Sequence, residues 1–249
     1  REMMLTDVEP IPVNMTDKEV ARLFESNDWV SAPVVDDNGT LLGRITIDDV
    51  VDVIREDTDR SLMSMAGLDE DTDTFAPLMH AAPRRAIWLG INLVTAFIAA
   101  SVINLFQGTI KEFVFLAVLM PIVASMGGIA GTQTLTLVVR GIALGQVVKN
   151  NQAWLINREL VIGLMNGILW AVVVAIAASI WFEQWQIGLI IAAAMVINLV
   201  TAALAGAVLP LLMARAKIDP ALAGGVVLTT ITDVVGFVSF LGLATLLYA

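Results

Sequence analysis

The sequence predicts an α-helical membrane protein with five transmembrane helices, preceded by a small α/β domain. Hydrophobic residues make up 57% of the 249 residues and charged residues only 15%. Five apolar segments are each long enough to cross a hydrocarbon layer about 30 Å thick. The first third of the chain is instead polar and acidic, as a soluble domain would be.

The charges divide the chain into three predicted parts. Residues 1–83 hold 19 acidic and 6 basic residues, whereas residues 84–249 hold 5 acidic and 8 basic residues. We predict a soluble motif over 1–54, an acidic connector over 55–83 and a membrane domain over 84–249. The acidic part disfavours nucleic acid as a partner and attracts cations. Cysteine is absent, which excludes disulfides and thiolate metal sites.

The soluble part predicts the order helix, strand, strand, helix. Thr16 and Glu19 have the spacing of a capping box, and the helix they open has an apolar face. That face consists of Val20, Leu23 and Phe24. Residues 30–35 and 41–47 are predicted strands joined by a turn at 36–39. Asp48 is the predicted cap of a second helix that ends at Ile54.

The predicted spans are 85–106, 113–139, 159–182, 187–213 and 222–248. Basic residues flank them unevenly, with Lys111 alone on one side and seven on the other: Arg84, Arg85, Arg140, Lys149, Arg158, Arg215 and Lys217. Cytosolic loops carry the excess of basic residues. We therefore expect a cytosolic amino terminus and a periplasmic or extracellular carboxyl terminus. The chain begins at Arg1 without a signal peptide, and we interpret it as part of a longer protein.

Asp233 is expected to be the one acidic residue in the middle of a span. A charge at that depth costs about 3 kcal/mol on insertion scales, so it favours a functional site. Thr229 and Thr230 precede it by one helical turn. No basic residue lies at comparable depth in any predicted span, which favours a cation as its partner. The alternative is a hydrogen bond to a neighbouring helix.

A divalent ion needs more charge than one carboxylate supplies. A twofold dimer would bring two copies of Asp233 to its axis. Mg²⁺ keeps several of its waters, so one or two carboxylates suffice for the hydrated ion. The only histidine, His80, is interpreted as a linker residue and not a metal ligand.

The second span contains an unusual glycine-rich stretch after Pro121. The pair Gly127 and Gly128 is predicted to open the helix and to offer carbonyl groups to a hydrated cation. Gly127 and Gly131 also have the spacing of a helix-packing motif, and that alternative stays open. Small residues in the third and fourth spans predict close helix packing: Gly163, Gly167, Ala171, Ala202 and Gly206. Three asparagines are expected to bridge helices: Asn92, Asn166 and Asn198.

These stretches resemble the MgtE family of magnesium channels. The second span matches the family pattern at seven positions: Pro121, Gly127, Gly128, Gly131, Gln133, Thr136 and Arg140. The stretch from Asp219 to Asp233 resembles the family's last helix, whose aspartate holds hydrated Mg²⁺ on a dimer axis. The resemblance implies a homodimer with Gly127, Gly128, Gly131, Gln133, Thr229 and Thr230 lining the pore. The family's asparagine after the glycine pair is Ile129 here, so Ile129 is not carried over.

The soluble part resembles the second motif of a CBS domain pair. In such domains residues like Thr46 and Asp49 bind the ribose of ATP or another adenine nucleotide. The resemblance also makes the connector a plug helix under the pore. Its acids are Glu56, Asp57, Asp59, Asp69, Glu70, Asp71 and Asp73. We expect cytosolic Mg²⁺ to bind among connector acids, Asp48, Asp49, Asp52 and Asp219, and so to close the pore.

The predicted function is therefore import of Mg²⁺ through a channel that cytosolic Mg²⁺ closes. One alternative is a secondary transporter coupled to protons or Na⁺. Another is a nucleotide-sensing membrane protein whose spans serve only for dimerisation. No Walker, phosphorylation or triad motif occurs, so an enzyme is not predicted.

Overall fold

The computed structural model describes residues 9–68, 75 and 77–248. It divides into two compact units, each with its own hydrophobic core. Among the described residues, the first unit comprises 9–64, and the second comprises 65–68, 75 and 77–248.

The first unit is a small α/β fold. Its elements are β1 (Ile11–Pro12), α1 (Asp17–Asn27), β2 (Ser31–Val35), β3 (Leu41–Thr46) and α2 (Ile47–Met65). The sheet has the order β1-β2-β3, and β2 is parallel to β1 and antiparallel to β3. The predicted order of helix, strand, strand and helix is confirmed. β1 was not predicted, because two paired residues leave no periodic pattern in a sequence.

The core of this unit forms where α1 packs on the sheet. Val20 and Phe24 of α1 are buried with Ile11, Ala32 and Val50. The backbone N–H and the hydroxyl of Thr16 both donate hydrogen bonds to Oε2 of Glu19, at 3.2 and 2.8 Å. The predicted start of α1 is thus confirmed.

α2 begins and ends differently from the prediction. Thr46 precedes the helix, and its N–H and hydroxyl both donate to Oδ2 of Asp49 at 2.9 Å. Asp48 is already inside the helix and exposed, so its prediction as the cap is wrong. The helix also continues past Ile54 to Met65, because no glycine or proline interrupts it before Gly67.

The second unit contains six helices in its described residues. They are α3 (Leu78–Leu105), α4 (Gln107–Glu112), α5 (Phe115–Ala143), α6 (Gln152–Phe182), α7 (Trp185–Arg215) and α8 (Pro220–Tyr248). Five of them are long and apolar enough to cross a membrane, which confirms the predicted number of spans. The short α4 fills the predicted break between the first two spans. α3 begins at Leu78, within the predicted connector.

α7 is the central helix and packs against α5, α6 and α8. Small residues make this packing close, as the sequence predicted. A Cβ placed on Gly206 of α7 would lie 2.7 Å from the carbonyl oxygen of Gly131 in α5. A Cβ on Gly163 of α6 would lie 3.2 Å from the carbonyl oxygen of Leu199. Glycine at these positions lets the backbones approach without a clash.

Candidate functional site

Asp233 lies near the middle of α8 and is half-buried. Among the described residues, none donates a hydrogen bond to its carboxylate or forms an ion pair with it. The alternative of a hydrogen bond to a neighbouring helix thus finds no partner in the described part of the chain. A half-buried carboxylate in a membrane helix needs a polar or charged neighbour.

Threonines surround Asp233 along α8, and their hydroxyls are turned onto their own helix. Thr229 donates to the carbonyl oxygen of Gly225 at 2.9 Å, and Thr230 donates to that of Val226 at 2.7 Å. Each hydroxyl hydrogen is thereby used, whereas the oxygen keeps acceptor capacity. The exposed Thr229 thus offers an acceptor to water or to a hydrated cation on the outer surface of the unit.

α5 and α8 pack as an antiparallel pair. Three glycines mark the seam between them, because a Cβ on each would lie within 3.3 Å of a side chain of the other helix: Gly236 near Val123, Gly131 near Leu228, and Gly224 near Leu135. The pairs run in opposite directions along the two helices, as antiparallel helices require. The positions of these pairs show which residues of α5 and α8 lie beside the seam.

Polar residues follow the seam by one position on both helices. On α5, Thr132 follows Gly131 and Thr136 follows Leu135. On α8, Thr229 follows Leu228, and Asp233 follows the buried Thr232. One residue corresponds to a rotation of about 100°. Because the helices are antiparallel, this rotation brings both rows to the same side of the pair. We call these residues, with Gly128 and Gly225, the polar row.

The glycines and Gln133 divide between two environments. Gln133 is exposed and Gly128 is half-buried, and a Cβ on Gly128 would meet nothing within 4 Å. Gly127 and Gly131 are buried against Asn198 and Leu228. Their geometry fits the packing alternative and not a direct contact with an ion.

The predicted opening of the helix at the glycine pair is wrong. α5 is a continuous α-helix from Phe115 to Ala143, and it includes Gly127 and Gly128. The physical reason is that a backbone in a hydrocarbon layer must satisfy its own hydrogen bonds. This requirement outweighs the cost of about 1 kcal/mol for a glycine in a helix. Ile129 is 57% exposed on the same helix.

The predicted asparagine bridges are only partly confirmed. Asn198 is fully buried and donates from Nδ2 to the carbonyl oxygen of Val123 on α5 at 2.8 Å, so it joins two helices. Asn92 instead donates to Trp88 within its own helix, so the bridge predicted for it is wrong. Asn166 is exposed on α6.

Glu159 is a second acid inside a membrane helix, and it was not among the predicted site residues. It is 4% exposed in the second turn of α6. Thr134 of α5 donates to its Oε2 at 3.3 Å, and Arg158 donates to its Oε1 at 2.8 Å. The signal was present in the sequence, because Glu159 opens a long apolar run. Its depth was not predicted, because Glu159 is the first residue of the predicted span 159–182, whereas α6 begins seven residues earlier at Gln152.

The predicted regulatory acids fall on α2 and at the start of α8. Asp48, Asp49, Asp52, Glu56 and Asp59 are exposed on α2. Asp219 has a structural role at the start of α8, because its Oδ1 accepts a hydrogen bond from the N–H of Ala221 at 2.8 Å, and its regulatory role stays a prediction. With Pro220 as the first residue of α8, this hydrogen bond is a helix cap. No group of three carboxylate or imidazole side chains that could hold a metal ion occurs among the described residues.

Thr46 and Asp49 meet at the start of α2, as described above. The two hydrogen bonds from Thr46 hold the pKa of the Asp49 carboxyl below its ordinary value. Binding of an adenine nucleotide there stays a prediction. Other predicted positions lie outside the described residues: Asp69, Glu70, Asp71, Asp73 and the side chains of Asp57 and His80.

The fold and the site define a helical membrane protein with five candidate spans, a half-buried mid-helix carboxylate and an amino-terminal α/β unit. A sequence model of the MgtE family, described as divalent cation transporter, matches residues 120–243. A CBS domain model matches residues 1–56. The chain therefore belongs to the MgtE family of divalent cation transporters.

Three curated relatives carry the name magnesium transporter MgtE. The protein from Bacillus subtilis is 32% identical over 98% of this chain and 54% of its own length. The protein from Enterococcus faecalis is 31% identical over 92% of this chain and 50% of its own length. The protein from Thermus thermophilus is 27% identical over 99% of this chain and 55% of its own length. The chain thus spans about half the length of the curated relatives it matches.

Proposed function

We propose that this chain forms the ion pathway of a Mg²⁺ channel that imports Mg²⁺ across the cytoplasmic membrane. The observation that carries the proposal is the polar row, which ends at Asp233 near the middle of α8. A carboxylate that no described residue neutralises, inside a helix that is long and apolar enough to span a membrane, suits a cation as its partner. The names of the curated relatives support Mg²⁺ as that cation.

The chemistry of the polar row suits a hydrated ion. Mg²⁺ gives up its waters reluctantly, so the protein contacts those waters and not the bare ion. The waters donate hydrogen bonds and therefore need acceptors. Asp233 supplies carboxylate oxygens, and Thr229 supplies a hydroxyl oxygen whose hydrogen is already used within α8. Gln133 is exposed but follows Thr132 by one residue, so it lies about 100° further around α5 and outside the polar row.

A second copy of the chain completes the pathway. Thr132, Thr136 and Thr229 are exposed on the surface of one chain, where lipid would be a poor neighbour for them. Packing two polar rows against each other around a twofold axis would shield them from lipid. It would also bring two Asp233 carboxylates together. The homodimer is thus part of the proposal.

The orientation follows the positive-inside rule. Arg140, Arg158 and Arg215 lie at helix ends that the alternation of spans puts on one side. We assign that side to the cytosol, and with it the α/β unit. The proposed activity is transport and not enzymatic catalysis.

We further propose that cytosolic Mg²⁺ closes the channel through α2. Asp48, Asp52, Glu56 and Asp59 recur at intervals of three or four residues, so they lie on one helix face. All four are exposed, and like charges at this spacing repel one another. Bound Mg²⁺ relieves that repulsion. We expect Mg²⁺ flux to persist at high cytosolic Mg²⁺ when all four are replaced together, each Asp by Asn and Glu56 by Gln. A charge-matched change of four other exposed acids in the α/β unit is the control: Asp17→Asn, Glu25→Gln, Asp28→Asn and Asp37→Asn.

The test of the central proposal is Mg²⁺ flux into liposomes. The wild type is expected to carry Mg²⁺ down a potential gradient, and Asp233→Asn is expected to abolish the flux. Glu112→Gln, at an exposed position of α4, is the charge-matched control. Unchanged flux in Asp233→Asn would overturn the proposal. Saturable flux that stops when the proton or Na⁺ gradient is collapsed would favour the coupled transporter instead.

A further inference from the structure

Asn198 is a polar residue of the central helix α7. It lies near the middle of α7 and is fully buried. Its amide nitrogen donates to the carbonyl oxygen of Val123 on α5 at 2.8 Å. This carbonyl lies within a continuous helix, so the bond from Asn198 is additional to the helical pattern.

The same amide fills the space above two glycines on different helices. A Cβ on Gly127 of α5 would lie 2.8 Å from Cγ of Asn198. A Cβ on Gly236 of α8 would lie 2.9 Å from its Nδ2. Real Cβ contacts are essentially never this short, so one side chain requires glycine at both positions. Asn198 thereby sets the distance between α5, α7 and α8 at mid-span.

Packing alone does not explain an asparagine at this position. Its Oδ1 is buried and accepts no hydrogen bond from any described residue. An unpaired buried acceptor is unfavourable for stability. A leucine has a similar shape, would bury no unpaired polar atom and would fill the same space. What a leucine lacks is the directional bond that fixes α7 against the backbone of α5.

This bond acts next to the polar row. Gly236 follows Asp233 by three residues and so lies one turn away on α8. Gly127 precedes Gly128, a member of the polar row. A shift of α8 along α5 would therefore move the Asp233 carboxylate relative to Thr132 and Thr136.

We propose that Asn198 is a positioning residue of the ion pathway: it fixes the depth and rotation of Asp233 against the polar row of α5. The proposal rests on the proposed function, since it assigns Asn198 a role in ion recognition. Asn198 does not contact the ion, because its side chain is enclosed by α5 and α8. It acts through the register of the two helices.

Flux measurements give the first test. Asn198→Leu is expected to raise the Mg²⁺ concentration for half-maximal flux several-fold and to lower the selectivity for Mg²⁺ over Ca²⁺. Its melting temperature in detergent should stay close to that of the wild type. Asn166→Leu, at an exposed position of α6, is the matched control and should change neither quantity. Wild-type half-saturation and selectivity in folded Asn198→Leu would overturn the proposal.

A rescue experiment tests the packing of Asn198 on Gly236. Gly236→Ala is expected to impair ion selectivity, because its methyl group meets Asn198. Adding Asn198→Ser makes room for that methyl group, so the double variant should recover part of the lost selectivity. If the double variant loses as much ion selectivity as the two single variants together, the proposed packing of Asn198 on Gly236 is contradicted.

A third readout does not depend on flux. The chain has no cysteine, so Thr132→Cys with Thr229→Cys introduces one defined pair across the seam. The rate of disulfide formation reports the register of α5 and α8, and Asn198→Leu is expected to change it. If the wild type carries no Mg²⁺ but the rate changes, the proposed function fails and the positioning role stands. If Mg²⁺ flux is present and the rate does not change, the positioning role fails.

Discussion

Thr134 of α5 and Glu159 of α6 form a buried hydrogen bond of 3.3 Å between the threonine hydroxyl and Oε2 of the carboxylate. Arg158 binds the other carboxylate oxygen, and the guanidinium is about half-exposed. The guanidinium of Arg158 neutralises a buried acid, and the bond from Thr134 joins α5 to α6. Glu159 contrasts with Asp233, to which the described residues offer no such partner.

Loss of this bond should destabilise the protein. Thr134→Val preserves the side-chain shape and removes the hydroxyl, and we expect a loss of about 1–3 kcal/mol. Glu159→Ala should cost a similar amount, and the double variant should cost less than the sum because the two residues share one interaction. Thermal unfolding in detergent measures all three. Strictly additive losses would show that the two side chains are not coupled.

The close approach of α5 and α7 predicts a severe effect at Gly206. Gly206→Ala places a methyl group 2.7 Å from the carbonyl oxygen of Gly131, where the backbone has no flexible atom to yield. We expect a destabilisation of about 1–3 kcal/mol, as for other overpacked sites. Gly90→Ala is the matched control, because a Cβ there meets nothing within 4 Å. An unchanged melting temperature in Gly206→Ala would contradict the described packing of α5 on α7.

The polar row predicts that Thr229 contributes to ion passage. Thr229→Val removes an exposed acceptor from the row without a large change of shape, and Mg²⁺ flux in liposomes should fall several-fold. Thr201→Val is the control, because Thr201 makes the same type of bond to its own helix at 2.8 Å. It lies between Ile197 and Leu204, which are exposed and apolar. Equal losses of flux in the two variants would count against the polar row.

The start of α2 predicts a pH-dependent stability. The folded-state pKa of Asp49 lies below its unfolded value of about 4, because Thr46 donates two hydrogen bonds to the carboxylate. The stabilisation is therefore present above the unfolded pKa and is lost as the pH falls through the folded pKa.

This sign fixes the expected comparison. In EDTA at pH 5 to 7, the wild type should have a higher melting temperature than Asp49→Asn. The difference in melting temperature should shrink as the pH falls below about 4. Asp52→Asn, at an exposed position one turn further along α2, is the control. A difference that grows on acidification would show that the bonds from Thr46 do not favour the charged carboxylate.

The sequence by itself determined the number of spans, the soluble unit before them and the position of Asp233. These features follow from local quantities: the length of an apolar run, the spacing of a capping box, and a charge where hydrocarbon surrounds it. The family pattern in α5 and α8 is local in the same sense. Each can be read without knowing which residues meet in space.

The tertiary structure decided which side of each helix is open and which is packed. It separated Gly127 from Gly128, although they are adjacent, because one residue turns a helix by about 100°. It brought Asn198 to Val123 across 75 positions of the chain and Thr134 to Glu159 across 25. Such pairings depend on the register of whole helices against one another. No local pattern in the sequence records that register, so only the packed bundle reveals it.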